Sequence, residues 1–374
     1  MAEKTPHPVT LNIAARPAIR DVDFEKMSLT FDPALGQITS LALDGREVLH
    51  RAHWVGTPAA HLAGAPIESA LCGSFFAAPF GASDVIDGPI HGPCANSAWR
   101  LDTRAQAADA ATMRLELLEP VMGAHVRMAL RLAANAPVLY QRHIITGGQG
   151  ALTFAHHPML HIAESAHIAT SRKRAILTPE TPLEPAHALA YPARSASLDA
   201  VAARDRGTLD LTHYAPVPEG EDGTEDFLTM VEMRSVARIG WTAVTRAAEG
   251  DIVIFLKDPR LCPVTMLWMS NGGRKYAPWD GRHRGVLGIE DGRAAGAEGH
   301  RAAMSDNAIA REGVPTALPL SPATTHEIRH ATVVLPRPEG FEGVADVRLA
   351  GGRLVVTGTQ GTEIGIPFDQ GFFA

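Results

Sequence analysis

The segment Leu152-Thr153-Phe154-Ala155-His156-His157-Pro158, with His161 four residues beyond His157, is the densest group of side chains able to move protons near neutral pH. Read as a strand, it places Leu152, Phe154 and His156 on one face and Thr153, Ala155 and His157 on the other, with Pro158 ending the pairing. A histidine at a strand end can reach a cleft and act there as acid or base. The plainer reading is a packed structural histidine. Glu290, in Leu287-Gly288-Ile289-Glu290-Asp291-Gly292, follows an apolar strand and precedes a turn, which lets a carboxylate stand at the rim of a sheet. Its plainer reading is a solvated turn residue. Trp279 beside Pro278 offers either a flat apolar platform for a sugar ring or ordinary core packing. The run Phe75-Phe76-Ala77-Ala78-Pro79-Phe80-Gly81, followed by His91-Gly92 and Trp99, completes the set.

Other chemistries find less support. No Walker A run, GxSxG elbow or HExxH occurs, and the glycines of 285–299 do not form GxGxxG between a strand and a long helix. Cys72, Cys94 and Cys262 are widely spaced and form no CxxC, which argues against a disulfide framework or zinc knuckle. A metal held by His156, His157 and His161 is conceivable, although no acidic or cysteine ligand stands at motif spacing. Lysine and arginine total 34 against 41 acidic residues, a net charge of −7, so no basic surface for nucleic acid is expected. No 18-residue apolar run and no signal-peptide core occur, and the expectation is a cytoplasmic protein with no membrane partner.

The elements that must position these residues have a period of two. Met113-Arg114-Leu115-Glu116-Leu117 alternates strictly and 126–132 does much the same, which predicts an antiparallel pair with one buried face. Short strands are also expected at 29–31, 41–43, 209–211, 252–256 and 354–356, punctuated by Asp44-Gly45 and Gly351-Gly352. Helices are expected only at 196–206 and around 302–311. The reading is an all-β chain, a large antiparallel β-sandwich with few short helices, forming one domain over 1–374.

In order and spacing, Pro79-Phe80-Gly81, His91-Gly92 with Trp99, His157-Pro158, and Gly288-Ile289-Glu290 after Pro278-Trp279 resemble the aldose 1-epimerase (galactose mutarotase-like) family. Leu29-Thr30-Phe31 through Gly36, and the stretch from Ile38 to a Gly45-Arg46-Glu47-Val48-Leu49 turn, look like its first strands. The resemblance covers roughly 25–340. It implies a β-sandwich whose concave face binds a monosaccharide, and an isomerase of carbohydrate metabolism that needs no cofactor or metal and acts as a monomer or homodimer. It further implies Glu290 as general base on the anomeric hydroxyl, His157 as general acid on the ring oxygen, and His91 as a second histidine holding the sugar.

Trp279 and Phe80, with Phe76 as an alternative, are the expected aromatic walls. Asn96 and Asp226 are the further substrate-binding candidates, and His156 competes with His157 for the cleft. The family's arginine near the proline-rich stretch is absent, since Gly81-Ala82-Ser83 stands there, and none follows His91, where the chain reads Pro93-Cys94-Ala95-Asn96. Phosphorylated sugars are therefore not the expected substrates, unless Arg274, Lys275 or Arg282 folds into the pocket. The missing arginine also motivates the alternative of a non-catalytic carbohydrate-binding or regulatory protein on the same fold.

Overall fold

Alternating Met113, Leu115 and Leu117 turn inward on the strand Ala110–Leu117, while Arg114 points to solvent. This strand pairs antiparallel with Ala124–Ala133, Leu115 standing opposite Met128, as the alternation predicts. The computed structural model describes residues 7–14, 24–233 and 239–374. Its strands form two large antiparallel sheets, of eleven and nine strands. The facing sides contribute Phe31, Leu41, Leu130, Phe154, Leu228, Phe255 and Ile289 to one continuous apolar core. Each such side chain removed from water stabilises the sandwich by about 1.5–3 kcal/mol. The all-β reading holds, and among the described residues the helices are short pieces such as the five-residue Pro58–Leu62.

Two local expectations need correction. The stretch 196–206 is not one helix: a single turn at Leu198–Ala200 leads into Val201–Ala202, which pairs with Thr208–Leu209. Leu198 and Val201 are drawn into the core, and Arg206 and Gly207, both with positive φ, make a tight reversal. Burial here outweighs the helix preference of the alanines. Nor does Pro158 end its strand. The strand runs Phe154–His161, and Pro158 sits opposite Ser74. Two four-residue helices, His300–Ala303 and Ala308–Arg311, occupy the second expected helical region.

A separate three-stranded meander, Val344–Ala350, Arg353–Gly358 and Glu363–Pro367, lies beyond the region of family resemblance. Its Leu354, Val356 and Ile366 pack with Val138, Tyr140 and Ile254 of the nine-stranded sheet. That sheet is thus covered on both faces. The outer face of the eleven-stranded sheet instead carries a third cluster built on Trp54, Phe75, Phe80, Trp268 and Trp279.

Candidate active site

Five neighbouring strands of the eleven-stranded sheet form the floor of this face, in the order Ser74–Ala77, Phe154–His161, Val286–Arg293, Val264–Asn271 and Thr224–Glu232. Because side chains alternate, the register decides which residues meet. His156 stands opposite Asp291 and Met159 opposite Gly288, so His157 faces Glu290 directly across the strand pair. His157 Nε2 and Glu290 Oε1 are 3.1 Å apart, and both side chains are buried. Gly288, two residues before Glu290 on the same face, leaves the space they need: a Cβ there would lie 3.2 Å from Trp268 and 3.3 Å from Glu290 Oε1.

The pair lines a cavity of about 190 Å³ together with Phe75, Phe80, His91, Trp268, Arg274 and Trp279. That is small beside the roughly 300–1,000 Å³ of sites for drug-sized ligands and suits one small ring. Phe75 stacks on the His157 ring at 4.4 Å between centroids. Trp279 packs edge-on against Trp54 at 4.6 Å and lies under the Arg274 guanidinium at 4.3 Å. It is 4% exposed, so it is cavity wall and core at once.

Burial pushes the Glu290 carboxyl well above its ordinary range. Burial, reinforced by His91, pushes the His157 imidazole well below its own. The two shifts meet across the 3.1 Å contact, burial disfavouring the charged form of each partner. His157 Nδ1 and Glu290 Oε2 are buried with no protein partner. Orphaned polar atoms on both members of an acid–base pair are free for a ligand.

His91 reaches the cavity from a strained loop. Its φ is +69°, a conformation rare for a residue with a side chain. Gly92 follows with φ +65°, and a Cβ there would lie 2.4 Å from Ala78 O, so only glycine fits. The His91 ring is 5.3 Å from that of His157, and burial lowers its pKa to about 4, leaving it a neutral hydrogen-bonding group.

Of the residues expected at the site, Glu290, His157, His91, Trp279 and Phe80 come together. Two do not. Asp226 lies on the opposite face of its strand, where its carboxylate accepts the backbone N–H groups of Ala188 and Leu189 and the Tyr191 hydroxyl. Asn96 uses its whole amide on the chain around it: Oδ1 accepts from Ile67 N–H, and Nδ2 donates to the carbonyls of Ile90 and Gly92. It shapes the His91 loop rather than lining the cavity.

Phe76 also faces the inter-sheet core, stacked on His143 at 3.9 Å, and Phe75 takes the wall position. His156 points between the sheets against His330. His156, His157 and His161 cannot share a metal: the first two occupy opposite faces, and a spacing of four along a strand separates His157 from His161 by about 13 Å. Phe75 and Trp268, which belong to runs noted in the sequence but were not chosen as wall residues, line the cavity, and Glu225 was not singled out. Trp268 and Ser270 share the cavity side of their strand, and Glu225 stands opposite Ser270.

No protein-family model and no curated protein matches the sequence. The fold is similar to that of a candidate aldose 1-epimerase from Klebsiella pneumoniae, with 14% identity, TM-score 0.56, and 83% of this chain and 77% of that one covered. It is similar also to a candidate aldose 1-epimerase from Escherichia coli K12, with 15% identity, TM-score 0.54, and 88% and 99% covered. A candidate mutarotase from Salmonella typhimurium gives 11% identity, TM-score 0.53, and 87% and 97% covered. At these identities the likeness concerns the fold, which is galactose mutarotase-like.

Proposed function

We propose that the protein is an aldose 1-epimerase-like mutarotase that interconverts the anomers of a free, non-phosphorylated monosaccharide. The observation that carries this reading is the buried His157–Glu290 contact, with an orphaned polar atom on each partner, in a small aromatic-walled cavity. Opening a cyclic hemiacetal needs one proton removed from the C1 hydroxyl and one delivered to the ring oxygen. Glu290 takes the first as the bond from C1 to the ring oxygen breaks, and that oxygen takes the second from His157. Rotation about the C1–C2 bond exposes the other carbonyl face; on closure Glu290 returns its proton to O1 and His157 recovers its own. No net proton, electron or water is exchanged. A pair that shares one proton has the stoichiometry this cycle requires.

His91 holds the sugar, and Phe80 and Trp279 meet its apolar C–H faces. Arg274 does fold against the cavity, but its Nε lies 3.2 Å from Glu184 and 3.3 Å from Glu225, so its charge is already opposed. A phosphate dianion would find that cation already neutralised, which favours neutral sugars. The test is an NMR screen of free aldoses and their 6-phosphates for accelerated anomer exchange. Acceleration for a free aldose supports the reading. Saturation by a hexose 6-phosphate alone removes the substrate class, and binding of free sugars without acceleration favours the non-catalytic alternative.

A further inference from the structure

A second cleft, lined by His50, Arg51, His53, His161, Arg282 and His283, approaches the sugar cavity from the other side of its wall. A chain of hydrogen bonds joins the two. His50 Nε2 lies 3.0 Å from His283 Nε2, His283 Nδ1 lies 2.8 Å from Ser270 Oγ, and Ser270 Oγ donates to Glu225 Oε2 at 2.9 Å. Glu225 Oε1 accepts the Trp268 indole N–H at 2.6 Å and faces Arg274 Nε at 3.3 Å. Trp268 and Arg274 both line the cavity.

The donor inventory fixes the direction of this chain. A carboxylate only accepts, so the single Ser270 hydroxyl proton goes to Glu225, and His283 Nδ1 must carry the proton it gives to Ser270. Burial keeps His283 neutral, its pKa pushed down further by His50, Arg274, His53 and His161. Its Nε2 is then an acceptor, and His50 Nε2 is the donor. Every bond points toward Glu225.

We propose that Glu225 is a positioning residue that holds Trp268 and Arg274 in the sugar wall, and that Ser270, His283 and His50 are the proton path through which the second cleft sets its charge. A proton taken up by His50 sends its Nε2 proton to His283 Nε2; His283 passes its Nδ1 proton to Ser270, and Ser270 passes its own to Glu225. One proton enters at His50 Nδ1, both histidines end neutral with their tautomers exchanged, His50 now protonated at Nδ1 and His283 at Nε2, and Glu225 becomes an uncharged acid. Arg274 then keeps only Glu184, itself bonded by the Tyr276 hydroxyl at 2.9 Å.

Burial pushes Glu225 up to about 7 against the pull of Arg274, Trp268 and Ser270, with Glu184 adding to the rise. Tyr191, Tyr214 and Tyr276 are the other titratable groups that feel its charge. His50 is held neutral by burial and by His161 and His53, so it passes protons on rather than storing them. The consequence for affinity rests on the mutarotase reading; the relay itself does not.

The direct probe is the Trp268 indole N–H resonance in ¹⁵N-tryptophan-labelled full-length protein, assigned with Trp268→Phe and followed through neutral pH. In the wild type it titrates with a midpoint near 7. Glu225→Gln abolishes the titration. Ser270→Ala removes one bond to the charged form, which moves the midpoint up by about one unit, and also breaks the path, so the indole line, in fast exchange in the wild type, broadens or splits in two at the midpoint; Ser270→Thr restores both. With D-galactose as probe, KM for anomer exchange rises as pH falls through the same midpoint while kcat does not follow it. An indole resonance that is flat in the wild type or still titrates in Glu225→Gln overturns the positioning role, and fast exchange retained in Ser270→Ala overturns the relay. A titrating indole without exchange of any free aldose sinks the mutarotase reading and leaves the relay standing.

Discussion

His156 with Asp291 and His157 with Glu290 are adjacent pairs on the same two strands, one residue apart, yet they meet opposite surroundings. Asp291 points between the sheets, where Thr265 donates to it at 2.6 Å and Lys257 and His330 stand 3.0 Å away. Burial alone would raise its pKa, but Lys257, His330 and Thr265 outweigh that and hold the carboxyl below its usual range. Lys257 continues the inner network to Glu232 at 3.0 Å, and Glu232 continues it to Lys173 at 2.5 Å. Glu290 has no such cation. Among the described residues its ion-pair partner is the His157 imidazole, and burial holds its carboxyl well above the ordinary range. The same strand thus carries one carboxyl held below its ordinary range by cations and one raised above it by burial, and the difference is the company on each face of the sheet.

This contrast can be broken at either carboxylate. The largest effect is expected from Asp291→Ala, which leaves the inner cations underpaired in the core and costs about 3–5 kcal/mol. Urea denaturation should show it, against little change for Glu290→Gln. In anomer exchange Glu290→Gln should lower the rate roughly 10²-fold or more while sugar binding survives. His157→Asn should act similarly, and the double variant should lose much less than the product of the two losses, because both groups serve one proton cycle.

The pH profile sharpens the same point. The active pair holds one proton. On acidification a second proton adds to His157, and because burial depresses that imidazole the loss of rate falls below the ordinary histidine range. On alkalinisation the last proton leaves, and because burial raises Glu290 the loss falls above the ordinary glutamate range. The rate should be bell-shaped with a broad top, both limbs belonging to the pair. A measured profile of kcat with its acid limb at or above the ordinary histidine pKa would contradict the depressed imidazole.

The smallest expected effect concerns the wall. Trp279→Phe keeps an aromatic face and should weaken sugar binding by a few-fold, read by saturation-transfer NMR. Trp279→Ala is the poorer probe, since opening the contact with Trp54 should cost about 3–5 kcal/mol of stability.

The architecture was legible because alternation is local: 110–117 and 124–133 declare their buried faces residue by residue. That His157 and Glu290 would stand close together was legible through the resemblance, but which of His156 and His157 faces the cavity depends on register, which the 159↔288 pairing fixes. Asp226 was chosen where Glu225 stands beside the wall for the same reason: on a strand a shift of one residue exchanges cavity for core. Asn96 misled because an amide near a site histidine can serve the loop's backbone as readily as a ligand. Arg274 reaches the cavity from the loop that leaves the strand Val264–Asn271, and of the three basic residues the sequence offered for the pocket it is the one that lines the cavity.

The central claim is tested most directly by anomer exchange of a panel of free aldoses measured by NMR with the wild type and Glu290→Gln side by side. The account predicts acceleration of at least one free sugar by the wild type, and a variant that still gives saturation-transfer signals from that sugar but exchanges it roughly 10²-fold more slowly or worse. Near-full exchange by Glu290→Gln on the best substrate would contradict it.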